Sequence, residues 1–249
     1  MTQPHSIEKL VLLPGLHGTG DLFDPLLEAL PSSLEPIVVS YPRDRELTGA
    51  ELIAFVRSHL PLNDPYVLLG ESFSSLLATQ IAATHPANLR ALVLSAGFAS
   101  CPLRGILRIG MAAALRCLPR SELAVCLPSF LIRRFFAGPG APESIVRKVQ
   151  STVASVHLGV LLSRLRYIDR HDVRAELAQV TVPLLYLQAA ADRTVPWQSL
   201  EEILAVKPDV TVVRIDGPHL LLQCEAQKSS QAIADFLEHL DPGETSRAI

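Results

Sequence analysis

Six short apolar runs, each followed by a segment of helical periodicity, constrain this chain more than any other feature. The runs fall at 7–13, 37–41, 66–70, 91–96, 182–188 and 210–215. A strand covered on both faces reads as a continuous hydrophobic run, and strands alternating with amphipathic helices imply a parallel sheet between two helical layers. The expected fold class is therefore α/β, with a mostly parallel sheet of about six strands. Between the first runs, 25–30 reads as a short helix. Thr48-Gly49-Ala50-Glu51 has the form of a capping box. It opens a helix whose Leu52, Ile53, Phe55, Val56 and Leu60 share one side, with Pro61 as its stop. From 98 to 175 the strand signal disappears, and apolar residues recur at helical spacing between prolines. The chain thus divides into a core of 1–97 and 176–249 and an inserted helical segment, 98–175.

Size and composition fit one large domain carrying such an insertion. The chain has 249 residues, 49% of them hydrophobic, and a mean hydropathy of +0.30. No apolar run approaches the roughly 18 residues that a membrane span requires. The first residues lack a basic segment followed by an apolar one, so no signal peptide is expected. Four cysteines show neither metal-ligand spacing nor disulfide density, and reduced thiols in a cytoplasmic protein are the expectation. Residues 241–249 read as a frayed tail.

In open parallel sheets, sites form beyond the carboxyl ends of the strands. Ser72 follows the third run in Gly70-Glu71-Ser72-Phe73-Ser74, between an apolar strand and a helix beginning Leu76-Leu77. A turn this tight strains the serine backbone, demands small neighbours and lifts the hydroxyl above the sheet edge. It also sets the Phe73 amide at a helix N-terminus, suited to stabilising negative charge. The competing reading is a surface serine in an ordinary turn.

Serine needs a base within hydrogen-bond reach, itself oriented by a third group. Of eight histidines, only His219 directly follows a strand. His59, His85 and His239 read as solvated helix residues, His157 and His171 belong to the insertion, and His17 falls in the first loop, where it can line a pocket. Asp192, after the fifth run, is the preferred orienting acid, and Asp216 is its rival. The order Ser72, Asp192, His219 is that of one known triad arrangement.

With those residues in place, the chain resembles the α/β-hydrolase family along essentially its whole length. Val11-Leu12-Leu13-Pro14-Gly15-Leu16 is similar to the family's oxyanion loop, with Pro14 in place of the usual histidine. Gly70-Glu71-Ser72-Phe73-Ser74 resembles its nucleophile elbow, with Ser74 replacing the last glycine. The resemblance implies that the Leu16 N–H joins that of Phe73 in holding an oxyanion, and that 98–175 is a helical cap. It also implies a serine esterase or thioesterase working through an acyl-enzyme, with no cofactor and no metal. A receptor-like protein that keeps the fold as a binding pocket is the competing class.

Net charge is −3, yet 98–175 holds twelve Lys or Arg against four Asp or Glu. Arg104, Arg108, Arg116, Arg120, Arg133, Arg134, Arg147, Arg164 and Arg166 are read as a solvated face of the cap. The functional alternatives are an acidic partner or substrate, such as an acyl chain on acyl carrier protein or coenzyme A, and an anionic membrane surface. Nucleic acid is not expected, because no binding motif accompanies the basic stretch.

Overall fold

The computed structural model describes residues 8–117 and 125–240. Arg120 and the tail 241–249 lie outside them, as do the side chains of Arg116 and Cys117. Six strands form one sheet: β1 (Glu8–Leu13), β2 (Leu34–Val38), β3 (Tyr66–Glu71), β4 (Leu89–Ser95), β5 (Leu184–Ala189) and β6 (Thr211–Ile215). Their order is β2-β1-β3-β4-β5-β6, and every pairing is parallel.

Successive residues of a strand face opposite sides of the sheet, and the two cores follow that alternation. Val11, Leu68, Leu92 and Leu184 lie in one cluster with helices α2 (Gly49–Arg57) and α3 (Ser74–Ala82). Leu10, Leu12, Val67, Val93 and Leu185 lie in the other with α1 (Asp24–Ala29) and, after β6, α10 (Leu221–Cys224) and α11 (Ala226–Glu238). Between β4 and β5 the chain runs through α4 (Gly105–Cys117), α5 (Ser129–Leu131), a π-turn (Ile132–Phe136), α6 (Glu143–Ala154), α7 (Leu158–Arg170) and α8 (Arg174–Leu177). The remaining helix, α9 (Gln198–Val206), links β5 to β6.

The expected capping box forms: Thr48 Oγ1 accepts the Glu51 N–H while Glu51 accepts that of Thr48. Its helix ends at Arg57, a turn before Pro61. The second strand lies three residues earlier than its apolar run. Leu34–Val38 pairs with β1, whereas the buried Val39 and Tyr41 belong to the following loop. Pro36 can sit inside β2 because this is an edge strand, where a missing N–H breaks no ladder.

Chain order reverses between β1 and β3, since β2 lies outside β1 and β3 returns to its other side. A crevice opens beyond the carboxyl ends of strands at such a point. The loop after β1 and the turn after β3 flank it.

Candidate active site

Ser72 leaves β3 with φ +49°, a left-handed backbone that costs a non-glycine residue about 1–3 kcal/mol. Its N–H donates to Ser95 O at the end of β4, 2.9 Å away. Gly70 has no room for a side chain: a Cβ there would stand 2.7 Å from Ser74 O. Ser74 is fully buried. Its hydroxyl donates to Pro14 O, so the Tyr41 hydroxyl, 2.8 Å away, is the donor to Ser74 Oγ. A glycine at this position would supply neither the tie to the loop after β1 nor that to the loop after β2.

His219 and Asp192 converge on Ser72. His219 Nε2 lies 3.0 Å from Ser72 Oγ, and His219 Nδ1 lies 2.7 Å from Asp192 Oδ2. Asp192 Oδ1 accepts the N–H groups of Thr194 and Val195 at 2.7 and 2.8 Å, which fixes the carboxylate. Nδ1–H then donates to Asp192, and the Nε2 lone pair faces the Ser72 hydroxyl. The rival Asp216 is exposed and makes no bond to His219. His59, His85 and His239 are exposed, as their helix-end positions suggest. Among the described residues, the N–H groups of Leu16 and Phe73 donate to no protein acceptor.

The residue before Ser72 takes part as well. Glu71 is buried; its Oε2 accepts the Gly15 N–H at 3.2 Å, and its Oε1 accepts from Gln223 Nε2 at 2.9 Å. Burial raises its pKa, against the opposing influence of those bonds and of His219. The sequence signal was a lone carboxylate closing an apolar strand. His17 is also buried, and its Nδ1 accepts the Thr19 N–H at 3.2 Å. Burial, with Arg164 and Arg43 nearby, lowers its pKa to about 3. His17 is therefore a neutral imidazole with the proton on Nε2.

These groups open onto a cavity of about 400 Å³. Core residues Leu16, Ser72 and His219 form one wall, and Met111, Val149, Val153 and Leu162 of the insertion form another. No lysine or arginine lines it, and Glu71 is its one carboxylate among the described residues. Phe136 stands edge-on to the His219 ring, 6.1 Å between centroids. The insertion is tied to the acid and histidine loops by Thr194 Oγ1 donating to Phe135 O at 2.8 Å and Leu220 N–H donating to Phe136 O at 2.9 Å.

Of the insertion's arginines, Arg104, Arg108, Arg134 and Arg147 are exposed, as a solvated face requires, whereas Arg133 and Arg166 are half-buried and Arg164 is buried. Arg104 pairs with Glu202, Arg108 with Asp169, and both Arg133 and Arg147 with Glu143. Arg166 donates to Leu115 O, and Arg164 is buried. Arg134 lies over the Phe135 ring. Much of the local positive charge is matched by carboxylates, one of them, Glu202, from α9 of the core. Cys101, Cys126 and Cys224 carry free thiols. Among the described residues no helix is long and apolar enough to cross a membrane, and no cluster of three His, Cys, Asp or Glu could hold a metal ion.

A family model described as the alpha/beta hydrolase family matches residues 10–235. A pimeloyl-[acyl-carrier protein] methyl ester esterase of Neisseria meningitidis serogroup C is 25% identical over 246 residues, spanning 95% of this chain and 96% of that protein. A polyketide synthase of Burkholderia thailandensis is 27% identical over 254 residues, spanning 92% of this chain and 12% of the synthase. Among solved structures, the enol-lactonase of Burkholderia xenovorans superimposes with a TM-score of 0.76 at 16% identity, covering 93% of this chain and 91% of its own.

Proposed function

Because this chain belongs to the alpha/beta hydrolase family, in which its similarity to esterases supports a hydrolase, we propose that it cleaves a carboxylic ester through an acyl-enzyme on Ser72. The observation that carries this reading is the hydrogen-bonded series Ser72–His219–Asp192 at the mouth of an apolar cavity. Ser72 Oγ attacks the acyl carbon as His219 Nε2 takes its proton. Asp192 holds the imidazole and stabilises the imidazolium. The N–H groups of Leu16 and Phe73 receive the oxyanion. His219 returns its proton to the leaving alcohol, and water then repeats the sequence against the acyl-enzyme. Every step is supplied by side chains and amides of the protein.

The substrate we propose is a neutral ester or thioester with an aliphatic acyl chain, since among the described residues the cavity offers such a chain apolar walls and no cation. An acyl-carrier-linked methyl ester is the finer form, supported by the name of the Neisseria relative and by the basic excess over 98–175. Residues 98–175 act in this reading as a cap over the acyl chain, and the cytoplasm as the place of reaction.

Turnover of a nitrophenyl ester by the wild type, Ser72→Ala, His219→Ala and Asp192→Asn tests the mechanism. The first two variants lose several orders of magnitude, and their combination costs little more, because the residues act as a unit. Near-normal turnover by Ser72→Ala would sink the reading. A protein that binds esters without turning them over would belong to the receptor class.

A further inference from the structure

Arg164 comes from α7 of the inserted segment and is 3% exposed. Among the described residues no carboxylate pairs with it. Its donors go to backbone carbonyls: Nη1 to Leu16 O at 3.0 Å and His17 O at 2.7 Å, and Nη2 to Pro42 O at 2.9 Å. Its guanidinium carbon also lies over the Tyr41 ring, 5.5 Å from the centroid. A buried cation with no counter-charge carries a desolvation cost. Burial lowers its pKa to about 10, which leaves it charged at neutral pH.

The loop it grips is held peptide by peptide. Pro14 O accepts from Ser74, and the Gly15 N–H donates to Glu71. Gly15 O accepts the Gly18 N–H at 2.9 Å, and Gly18 O accepts that of Tyr41 at 2.6 Å. Leu16 O and His17 O are the two carbonyls of this loop that Arg164 takes. The Gly15–Leu16 peptide is thus fixed on both sides, while its own N–H, that of Leu16, donates to nothing in the described protein. Gly18 fits the same design. Its φ is +74°, and a Cβ there would stand 2.2 Å from Arg164 Nη1. The chain keeps a glycine where the guanidinium must pack. A planar fork can span carbonyls that lie apart; the single ammonium of lysine cannot.

We propose that Arg164 is a positioning residue contributed by the inserted segment to the oxyanion-binding loop, where it aims the Leu16 N–H at the reacting carbonyl oxygen. The proposal rests on the serine-hydrolase reading above. It means that the oxyanion site is complete only when the inserted segment is seated on the core. Thr194–Phe135 and Leu220–Phe136 are the corresponding ties at the acid and histidine loops.

The test measures kcat and KM on a nitrophenyl octanoate, and affinity for an alkyl boronic acid that forms a tetrahedral adduct on serine. Wild type, Arg164→Lys, Arg164→Ala and Arg147→Ala are compared, the last losing only a surface pair. Misplacing a reacting group by about 1 Å costs about 100-fold, so kcat falls by about that factor in both Arg164 variants while KM stays within about threefold. Boronate affinity falls in parallel with kcat, and methylguanidinium restores part of the rate of Arg164→Ala. Arg147→Ala behaves as wild type. Arg164→Ala with kcat within about threefold of wild type, a loss confined to KM, or unchanged boronate affinity would each overturn the proposal. Should Arg164→Ala fail to fold, Arg164→Lys and Gly18→Ala carry the same kcat and boronate readouts. Labelling by a fluorophosphonate separates the two levels: wild type that neither labels nor turns over refutes the serine-hydrolase reading, not the role of Arg164.

Discussion

Glu71 accepts the backbone N–H of Gly15 at 3.2 Å, so the residue preceding Ser72 also holds the loop on the other side of the crevice. One carboxyl side chain thereby links the ends of β3 and β1, the two strands between which the chain order reverses. Gln223 completes the arrangement from α10, with its own Oε1 buried and without a partner among the described residues.

Replacing Glu71 separates hydrogen bonding from charge. In Glu71→Leu the Gly15 N–H and the Gln223 amide lose their partner, and each buried unpaired group costs about 1–3 kcal/mol. The expected result is a clear fall in Tm together with reduced kcat. Glu71→Gln is expected to be far milder, because Gln223 can turn its unpartnered oxygen toward the new amide. Thermal melts and ester turnover of both variants check this, and equal damage from the two would show that charge matters more than pairing.

Acid stability should report on His17. Its folded-state pKa of about 3 lies below the ordinary 6.5, so between those values the unfolded chain binds the extra proton. Stability therefore rises with pH across this window and is lost as pH falls from about 6.5 toward 3. From the two pKa values the loss between pH 8 and pH 4.5 is about 3 kcal/mol. His17→Asn removes the titration yet can still accept the Thr19 N–H through its side-chain oxygen. Glu71, with its raised pKa, acts with the opposite sign but equally in both proteins. Urea midpoints at the two pH values should thus converge in the variant. An unchanged pH dependence would place the acid sensitivity elsewhere.

The cavity predicts a preference among acyl chains. A methyl ester of an eight-carbon fatty acid should be turned over at least about 100-fold better in kcat/KM than a methyl half-ester of similar length ending in a free carboxylate, since burying an unpaired carboxylate costs several kcal/mol. Comparable rates on the two would mean that the chain lies outside the cavity.

Ser72, Asp192 and His219 could be singled out from the sequence because each follows an apolar strand, and strand ends in a parallel sheet share one edge. The roles proposed for them follow from residue type at those points. The same rule places Leu16 at that edge, while its part in holding an oxyanion is implied only by resemblance to a family. The start of β2 was misplaced because Val39 and Tyr41 are as buried as strand residues while lying in a loop. The ion pairs of the insertion's arginines were hidden for a different reason. Glu202, the partner of Arg104, lies 98 positions along the chain, and no local pattern announces such a pair. The isolation of Arg164 from solvent was equally hidden, since it shares an amphipathic helix with the half-buried Arg166 and the exposed Arg170. What Glu71 does depends on Gly15 and Gln223, neither of which is near it in sequence.

Acylation of Ser72 is visible to intact-protein mass spectrometry. The protein is mixed with a nitrophenyl octanoate, quenched in acid within the first turnovers, weighed and then digested. The expected result is a burst of nitrophenol, a mass increase of one octanoyl group, and that group on the peptide carrying Ser72; Ser72→Ala shows neither burst nor adduct. Rapid wild-type turnover with no covalent adduct under any quench, or an adduct on another residue that persists in Ser72→Ala, would contradict it.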